Sequence, residues 1–536
     1  MGQVITVIFV LLMWAAPGTE AWAAQAEEMG SLRGTVRDAE GNMVHVAMIK
    51  IRNLDQNITV AVYSENGNYL ASDLYPGPSQ ISASFPGHTE GWSAEIDILP
   101  GNEIAHNIAL DNDSEPVLTP SEWIALLPDD GDGAKQLFVN RCVNCHGPEM
   151  IYRYRMDSLG WKKVLVMMGG GFGSNTNRLT RRIGDVSDEE AMNVTREEDL
   201  RIVAYLTKHF GPRATPGMPD IEPVTYRSAN TDSNVIFTQF DIPTFDSQPH
   251  NVFAARNGEL WFSERAERKV GHLDPRTGRF REFPIPDGIG LVRPIVEDQQ
   301  GTIWWGAGRT LAKMDPQTGQ WKLYPHPEGF AGSHTIVMGR DGKVYMTNNQ
   351  SEDRAAIISF DPQTETFKQF PIETRHARPY GIAVDSHNHI WFCYMGGHKI
   401  GMLDPATEVI TEYPTPTPHS GPRRPAVDQD DNIWFVEYNT NKLGRLDHDT
   451  GMITEWDIPT ANSAPYELAI DPRGVVWFSE FGANKLGRFD PATGRFTEYA
   501  LPGRDSQVRK MTVDPTGAIW LAEFNNSRIT RVVEKR

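Results

Sequence analysis

The phrase Asp-Pro-x-Thr-Gly, or a close variant of it, returns along the C-terminal part of the chain. It stands at Asp274-Pro275, Asp315-Pro316, Asp361-Pro362, Asp404-Pro405, Asp447-His448 and Asp490-Pro491. Successive copies lie 41, 46, 43, 43 and 43 residues apart, so the region is built from one repeated unit. Within each period stands an aromatic strand centre: Trp261-Phe262, Trp304-Trp305, Tyr345-Met346, Trp391-Phe392, Trp434-Phe435, Trp477-Phe478 and Trp520-Leu521. The first unit reads as four short strands, Asn251–Ala255, Glu259–Glu264, Lys269–Leu273 and Arg279–Ile285. Four strands in such a period make a β-propeller blade. The last unit ends at Arg536 after three strands, while Val235 to Pro243 repeats the outer-strand pattern of Arg279 to Pro286. That early strand should complete the last blade and close the ring, removing its sheet edges. The expectation is a seven-bladed β-propeller over residues 232–536.

The repeated Trp-Phe-x-Glu and Asn-Lys-x-Gly-Arg-x-Asp-Pro-x-Thr-Gly phrases resemble the streptogramin (virginiamycin B) lyase family of seven-bladed propellers. Aligning the blades on the residue 14 positions before the end of the aromatic strand gives His250, Arg293, His334, Tyr380, Arg423, Tyr466 and Arg509. The partners at the strand end are Glu264, Ala307, Asn348, Tyr394, Glu437, Glu480 and Glu523. In an antiparallel hairpin the start of one strand lies beside the end of the next. Both series are therefore expected to crowd one mouth of the propeller, either as ion pairs such as Arg423 with Glu437 or as a binding site for a small polar or anionic molecule. The resemblance implies a catalytic His and Glu at this separation, matched by His250 and Glu264, with a second His from the neighbouring blade and a bound Mg2+. Here the neighbouring blades carry Arg509 and Arg293, and Gln248 replaces the acid two residues before the His. Cys393, in the aromatic strand of the fourth unit, reads as a buried apolar residue.

Upstream, Cys142-Val143-Asn144-Cys145-His146 is C-x-x-C-H, the attachment signature of c-type haem. Two thioethers three residues apart on a helical turn match the vinyl groups on one edge of a porphyrin, and the next residue offers its imidazole to the iron. A structural zinc site would need a second Cys or His pair, and a thioredoxin-like pair would need a βαβ context; the sequence supplies neither. Gly133 to Phe138 leads into the motif with helical spacing, and Leu200, Ile202, Val203, Tyr205 and Leu206 form an apolar face after the cap at Thr195. Residues 113–216 thus resemble a small all-α class I cytochrome c domain with one covalent haem c. The resemblance implies a Met as sixth ligand: Met168, at the end of the helix led by Trp161, with Met167 as its rival. The glycine-rich stretch from Gly169 to Asn193 departs from the compact family pattern.

Residues 30–112 alternate apolar and polar side chains between turns at Asp38 to Asn42, Glu65 to Asn68 and Tyr75 to Pro78. Gly34, Asp38, Gly41, Ala47, Gly67, Tyr69 and Leu74 to Gly77 resemble the carboxypeptidase-regulatory-like family, a transthyretin-type β-sandwich, which implies an accessory module. Before it, Val4 to Ala16 is an apolar run ended by Pro17-Gly18, with Ala21-Trp22-Ala23 beyond. Residues 1–24 read as a secretory signal peptide, although no basic residue precedes the run. The remainder should then be periplasmic or secreted, without a membrane span. The formal charge of −19 repels nucleic acid and anionic lipid, which excludes both as general partners.

Two functions follow as expectations. One is haem-mediated electron transfer with a redox partner protein or electron acceptor, coupled to oxidation, reduction or binding of a small molecule at the propeller mouth. The other is a streptogramin-type carbon–oxygen lyase with His250 as general base, and a non-catalytic docking platform stands beside it. Fusion to a haem domain favours redox chemistry over a redox-neutral elimination.

Overall fold

Each blade is an antiparallel four-stranded sheet, and in most of them two Asp turns reverse the chain at fixed places. In the first, Asp274 accepts from the Arg276 amide at 3.0 Å and from the Thr277 hydroxyl at 3.1 Å, and Gly278 takes the left-handed conformation at φ 67°. In the second, an Asp at the end of the inner strand accepts the indole N–H of the aromatic strand. Trp304–Asp298, Trp391–Asp385, Trp434–Asp428, Trp477–Asp471 and Trp520–Asp514 span 2.8 to 3.3 Å. The repeated Gly of the third strand is set by packing: a Cβ at Gly271 would fall 2.0 Å from the Phe262 ring, and one at Gly487 2.2 Å from Phe478.

The computed structural model describes residues 29–85, 92–110, 118–142, 151, 155–169, 186–212, 233–290, 292–349 and 354–535. Among these, seven sheets form the propeller. Blade 1 comprises Pro249–Ala254, Leu260–Glu264, Lys269–Asp274 and Arg279–Pro284, within two residues of the strands read from the sequence. Blades 2 to 6 repeat this order, with inner strands Ile295–Glu297, Thr335–Met338, Pro379–Val384, Pro422–Val427 and Pro465–Ile470. Blade 7 is Met511–Val513, Ile519–Glu523 and Arg528–Glu534, completed by the early strand Val235–Asp241 in the register Arg528↔Asp241 to Glu534↔Val235. The ring is closed by joining its two ends in one sheet.

That sheet does not stop at the propeller. Val235–Asp241 also pairs on its other side with Ile58–Tyr63, in the register Ile58↔Phe240 to Val62↔Ile236. Ile58–Tyr63 belongs to the N-terminal β-sandwich, whose second sheet continues through Met48–Asn53, Gly77–Ser84 and Trp92–Ile98. Blade 7 and half of the sandwich thus form one eight-stranded sheet. Gly30–Arg37, Asn68–Leu74, Glu103–Ala105 and Ile108–Ala109 make the facing sheet, and Leu32, Val36, Ile49, Val60, Tyr69 and Ile81 fill the space between. Lys50 donates to the Pro502 carbonyl at 2.6 Å, and Tyr63 donates to the Ala500 carbonyl at 2.5 Å.

Between sandwich and propeller the described residues are helical: α1 Pro120–Leu126, α2 Ala134–Cys142, α3 Ser158–Gly169, α4 Asp188–Met192 and α5 Glu197–Phe210. Capping boxes start α1 (Thr119 with Glu122) and α4 (Ser187 with Glu190). The N-cap of α5 is Arg196 rather than Thr195. Without a side-chain cap, its first turn relies on Glu197, Glu198 and Asp199 against the positive end of the helix dipole. Ile124, Phe138, Trp161, Ile202, Tyr205, Leu206 and Phe210 form the core, with Phe138 stacked on Tyr205 at 6.0 Å. Among the described residues no helix is long and apolar enough to cross a membrane. The expected signal peptide, Cys145 and His146 lie outside the described residues.

Candidate functional site

The inner strands begin at one end of the propeller, and their first residues carry the series singled out by alignment. The loop before them is held in a conformation that L-residues avoid. Gln248, Arg378, Ala464 and Gln507 have φ of 48 to 50°, with Gly421 at 60° in the matching place. Each non-glycine there costs roughly 1–2 kcal/mol relative to a right-handed backbone. In blades 1, 4, 5 and 6 the pairing register then slips, between Pro249 and Val252, Pro379 and Ile382, Pro422 and Pro425, and Pro465 and Leu468. A bulge of this kind re-aims side chains, so two consecutive residues can reach the same space.

The structure brings Tyr380, Tyr466, Arg423 and His334 together. The Tyr380 and Tyr466 hydroxyls hydrogen-bond across the mouth. The Arg423 guanidinium lies 3.8 Å from the Tyr438 ring centre, 4.7 Å from Tyr466 and 5.4 Å from Tyr380. His334 packs on Tyr380 at 4.2 Å. Arg509 sits over Phe524 and Phe481, at 4.8 and 4.9 Å, and donates to Gln507 at 3.0 Å. Arg293 faces this group closely enough to act on the charge state of both histidines.

The residues one position on join them. Arg424 and Glu467, both almost fully buried, form an ion pair at 3.0 Å, and Lys510 reaches the other Glu467 oxygen at 3.2 Å. Reading a single column of the repeat misses this trio. The signal is present in the sequence: the next column is Asn251, Pro294, Thr335, Gly381, Arg424, Glu467 and Lys510, with charge in three successive blades.

The electrostatics follow from this crowding. Burial, then the charges of Arg293 and Arg509, hold His250 well below an ordinary imidazole, so it is neutral. Its Nδ1–H donates to Asn251 Oδ1 at 2.6 Å, which leaves Nε2 with a free lone pair. Desolvation, then Arg424 and Arg293, do the same to His334. In the coupled tyrosine pair, burial opposes ionisation of Tyr466, but Arg423, Arg509 and Arg424 outweigh it and lower its value. Tyr380 is raised by burial and then by Tyr466.

The second series stands at the same end as the first: Glu264, Tyr394, Glu437 and Glu480 pair with Pro249, Pro379, Pro422 and Pro465, each one residue before a member of the first series. Glu523 accepts from Gln239 at 2.7 Å, Asn526 at 2.9 Å and Ser506 at 3.0 Å, and so ties the mouth loop to the ring closure. Glu437 accepts from Thr440 at 2.6 Å. Burial, reinforced by Glu282, lifts Glu264 to about 8, and Glu437 is lifted to about 8 mainly by burial. Burial and then Glu498 raise Glu480 well above the ordinary range. Ala307, Tyr394 and Cys393 are buried, and burial pushes the Cys393 thiol up. In the helical segment, Cys142 is the last residue of α2 and Met168 the penultimate residue of α3.

A seven-bladed propeller with a polar, cation-rich mouth is the class that fold and site define. Residues 308–536 match the virginiamycin B lyase family, and residues 31–111 match the carboxypeptidase regulatory-like domain. The chain therefore carries a virginiamycin B lyase-like propeller and a carboxypeptidase regulatory-like domain, and residues 112–307 lie outside both matches. A streptogramin B lyase structure is 27% identical over 56% of this chain and 98% of its own, with a TM-score of 0.52. Selenomethionine-substituted virginiamycin B lyase from Staphylococcus aureus is 24% identical over 56% of this chain and 99% of its own, again with a TM-score of 0.52. No curated protein matches the chain.

Proposed function

We propose that this chain is an exported haem c protein whose propeller mouth binds a small anionic or polar molecule. The observation that carries the binding part is the charge balance at the mouth. Arg293, Arg424, Arg509 and Lys510 converge there, and Glu467 is a carboxylate that pairs with two of them. An excess of buried positive charge over negative is costly unless an anion joins it. Neutral His250 and His334 and the paired phenols supply further donors and acceptors for orienting such a guest.

Cys142 and Cys145 would hold the haem through thioethers, with His146 as proximal and Met168 as distal ligand. The helical segment fits such a group. α2 ends at the first Cys, and the Trp161 indole N–H is buried with no acceptor among the described residues, a donor that a haem propionate would satisfy. When bound, the haem supplies one-electron transfer. The Ser121 amide donates to the Gly482 carbonyl at 2.7 Å, and neighbouring Phe481 packs under Arg509, so α1 abuts the rim of the mouth. Electrons would be exchanged with a redox partner protein or another electron acceptor in the periplasm or outside the cell.

The 27% identity to a streptogramin B lyase favours a second reading, in which His250 Nε2 removes a proton as general base. Mg2+ does not fit beside it. The charges facing His250 are Arg293, Arg509 and Arg424, which repel a divalent cation, and burial with Glu282 lifts Glu264 to about 8, so it is not the carboxylate anion that Mg2+ favours. Calorimetric titration of the purified chain with phosphate and small dicarboxylates tests the first reading. Arg423→Ala should weaken binding by about tenfold or more without altering the pyridine haemochrome spectrum. Chelator-sensitive opening of streptogramin B by a Cys142→Ala, Cys145→Ala variant would overturn it and establish the lyase.

A further inference from the structure

We propose that Asp385, His387, His389 and His448 bind a divalent transition metal of the zinc, nickel or copper class, at the end of the propeller opposite the mouth. The repeat itself is the control. Asp385 opens the turn after the inner strand of blade 4, and Asp298, Asp428, Asp471 and Asp514 open the same turn in other blades, each holding a Trp indole. Two positions further on, those blades carry Gln300, Asp430, Arg473 and Thr516, whereas blade 4 carries His387. Four positions on they carry Thr302, Asn432, Val475 and Ala518, whereas blade 4 carries His389. The third departure comes from the neighbouring blade. His448 replaces the Pro that stands at 275, 316, 362, 405 and 491 in the Asp-Pro turns. Three breaks in the repeat, from two blades, meet at one point.

Their ligand atoms all lie within 4.8 Å of one another. The His387 and His448 rings are stacked at 5.5 Å and 13°, and His387 and His389 at 5.8 Å and 21°. A tetrahedral ion with bonds of about 2.0 Å needs nitrogens about 3.3 Å apart, which small side-chain rotations can reach. Two of the imidazoles also have a carboxylate from outside the cluster on Nδ1, Asp431 at 3.4 Å from His387 and Asp449 at 3.4 Å from His448, while Asp385 itself lies 2.9 Å from His389 Nδ1. A carboxylate behind a ring fixes its orientation, which is the outer shell that metal-binding histidines use. Three imidazoles with one carboxylate select a borderline ion over Mg2+ or Ca2+, which require oxygen ligands. Asp385 is fully buried and His387 is more than half exposed, so an ion has a route in from solvent. Once bound, it would clamp blade 4 to blade 5.

The test is Zn2+ titration of the tag-free, metal-stripped full chain against a chromogenic chelator, paired with thermal unfolding. Two variants are compared with it: His387→Gln with His389→Thr, which rewrites the turn as blade 2 has it, and His448→Gln. The native chain should bind one more Zn2+ equivalent than either variant, and added Zn2+ should raise its unfolding temperature more than theirs. Equal stoichiometry and equal thermal shifts in all three would overturn the proposal and leave the histidines as a stacked turn. Neither reading of the mouth enters this experiment, so its outcome is separate from theirs.

Discussion

The mouth and the blade flanks contain charged side chains from equivalent places in the same repeat, and they treat those charges differently. On the flanks, Glu523 and Glu437 receive hydrogen bonds from hydroxyls and amides of their own blade and its loops. At the mouth, guanidiniums lie against aromatic rings, and the carboxylate Glu467 is shared between Arg424 and Lys510. Flank charges fix loops, while mouth charges are assembled with one sign in excess, which suits an anionic guest. A repeat can thus place a binding site at its axis without weakening the blades that hold it.

The largest effect that would break this contrast is at Glu467. Glu467→Ala leaves Arg424 buried without its counter-charge and should cost about 3–5 kcal/mol in urea unfolding. A loss below about 1 kcal/mol would mean that Arg424 is not held by that pair.

The flank acids are sharpened by pH. Glu264 and Glu437 keep their protons to about 8 in the folded chain, whereas a carboxyl in the unfolded chain titrates near 4.3. The folded state therefore binds more protons between these values, and stability falls as pH rises through that window before levelling above about 8. Glu264→Gln with Glu437→Gln should flatten the decline, so that the variant is the more stable protein at pH 9 and shows least advantage at pH 4. A steeper decline in the double variant would reverse the assignment. The smallest effect is expected at the exposed Lys368–Glu408 pair on the outer strands. Lys368→Ala should change stability by less than about 1 kcal/mol, and less still at high salt.

The ring was legible because the Asp turns and aromatic centres recur with their spacing intact, and each does a local job that needs no distant partner. The first column of the mouth was legible for the same reason. Arg424, Glu467 and Lys510 were not, because strand alternation alone sends them to the opposite face; the register slips after Pro422 and Pro465 return Arg424 and Glu467 to the mouth. In the Glu series, Glu437 and Glu523 take hydrogen bonds from Thr440 and Ser506, loop hydroxyls that the column alignment leaves out. The histidine cluster escaped notice because it joins a turn in one blade to a different turn in the next. The β-sandwich was readable as a unit, but its junction with the ring was not, since edge pairing leaves no motif.

That junction bears on how the protein could be divided. The closing strand Val235–Asp241 has neighbours on both sides, Arg528–Glu534 and Ile58–Tyr63. A shortened version beginning after the sandwich would strip one flank of that strand and leave Val235, Phe237 and their neighbours on a bare, apolar border. Such a border recruits other chains, and fragments would be expected to stick to one another through it. The sandwich is therefore a built-in guard of the ring's seam, and the propeller is best handled with it attached.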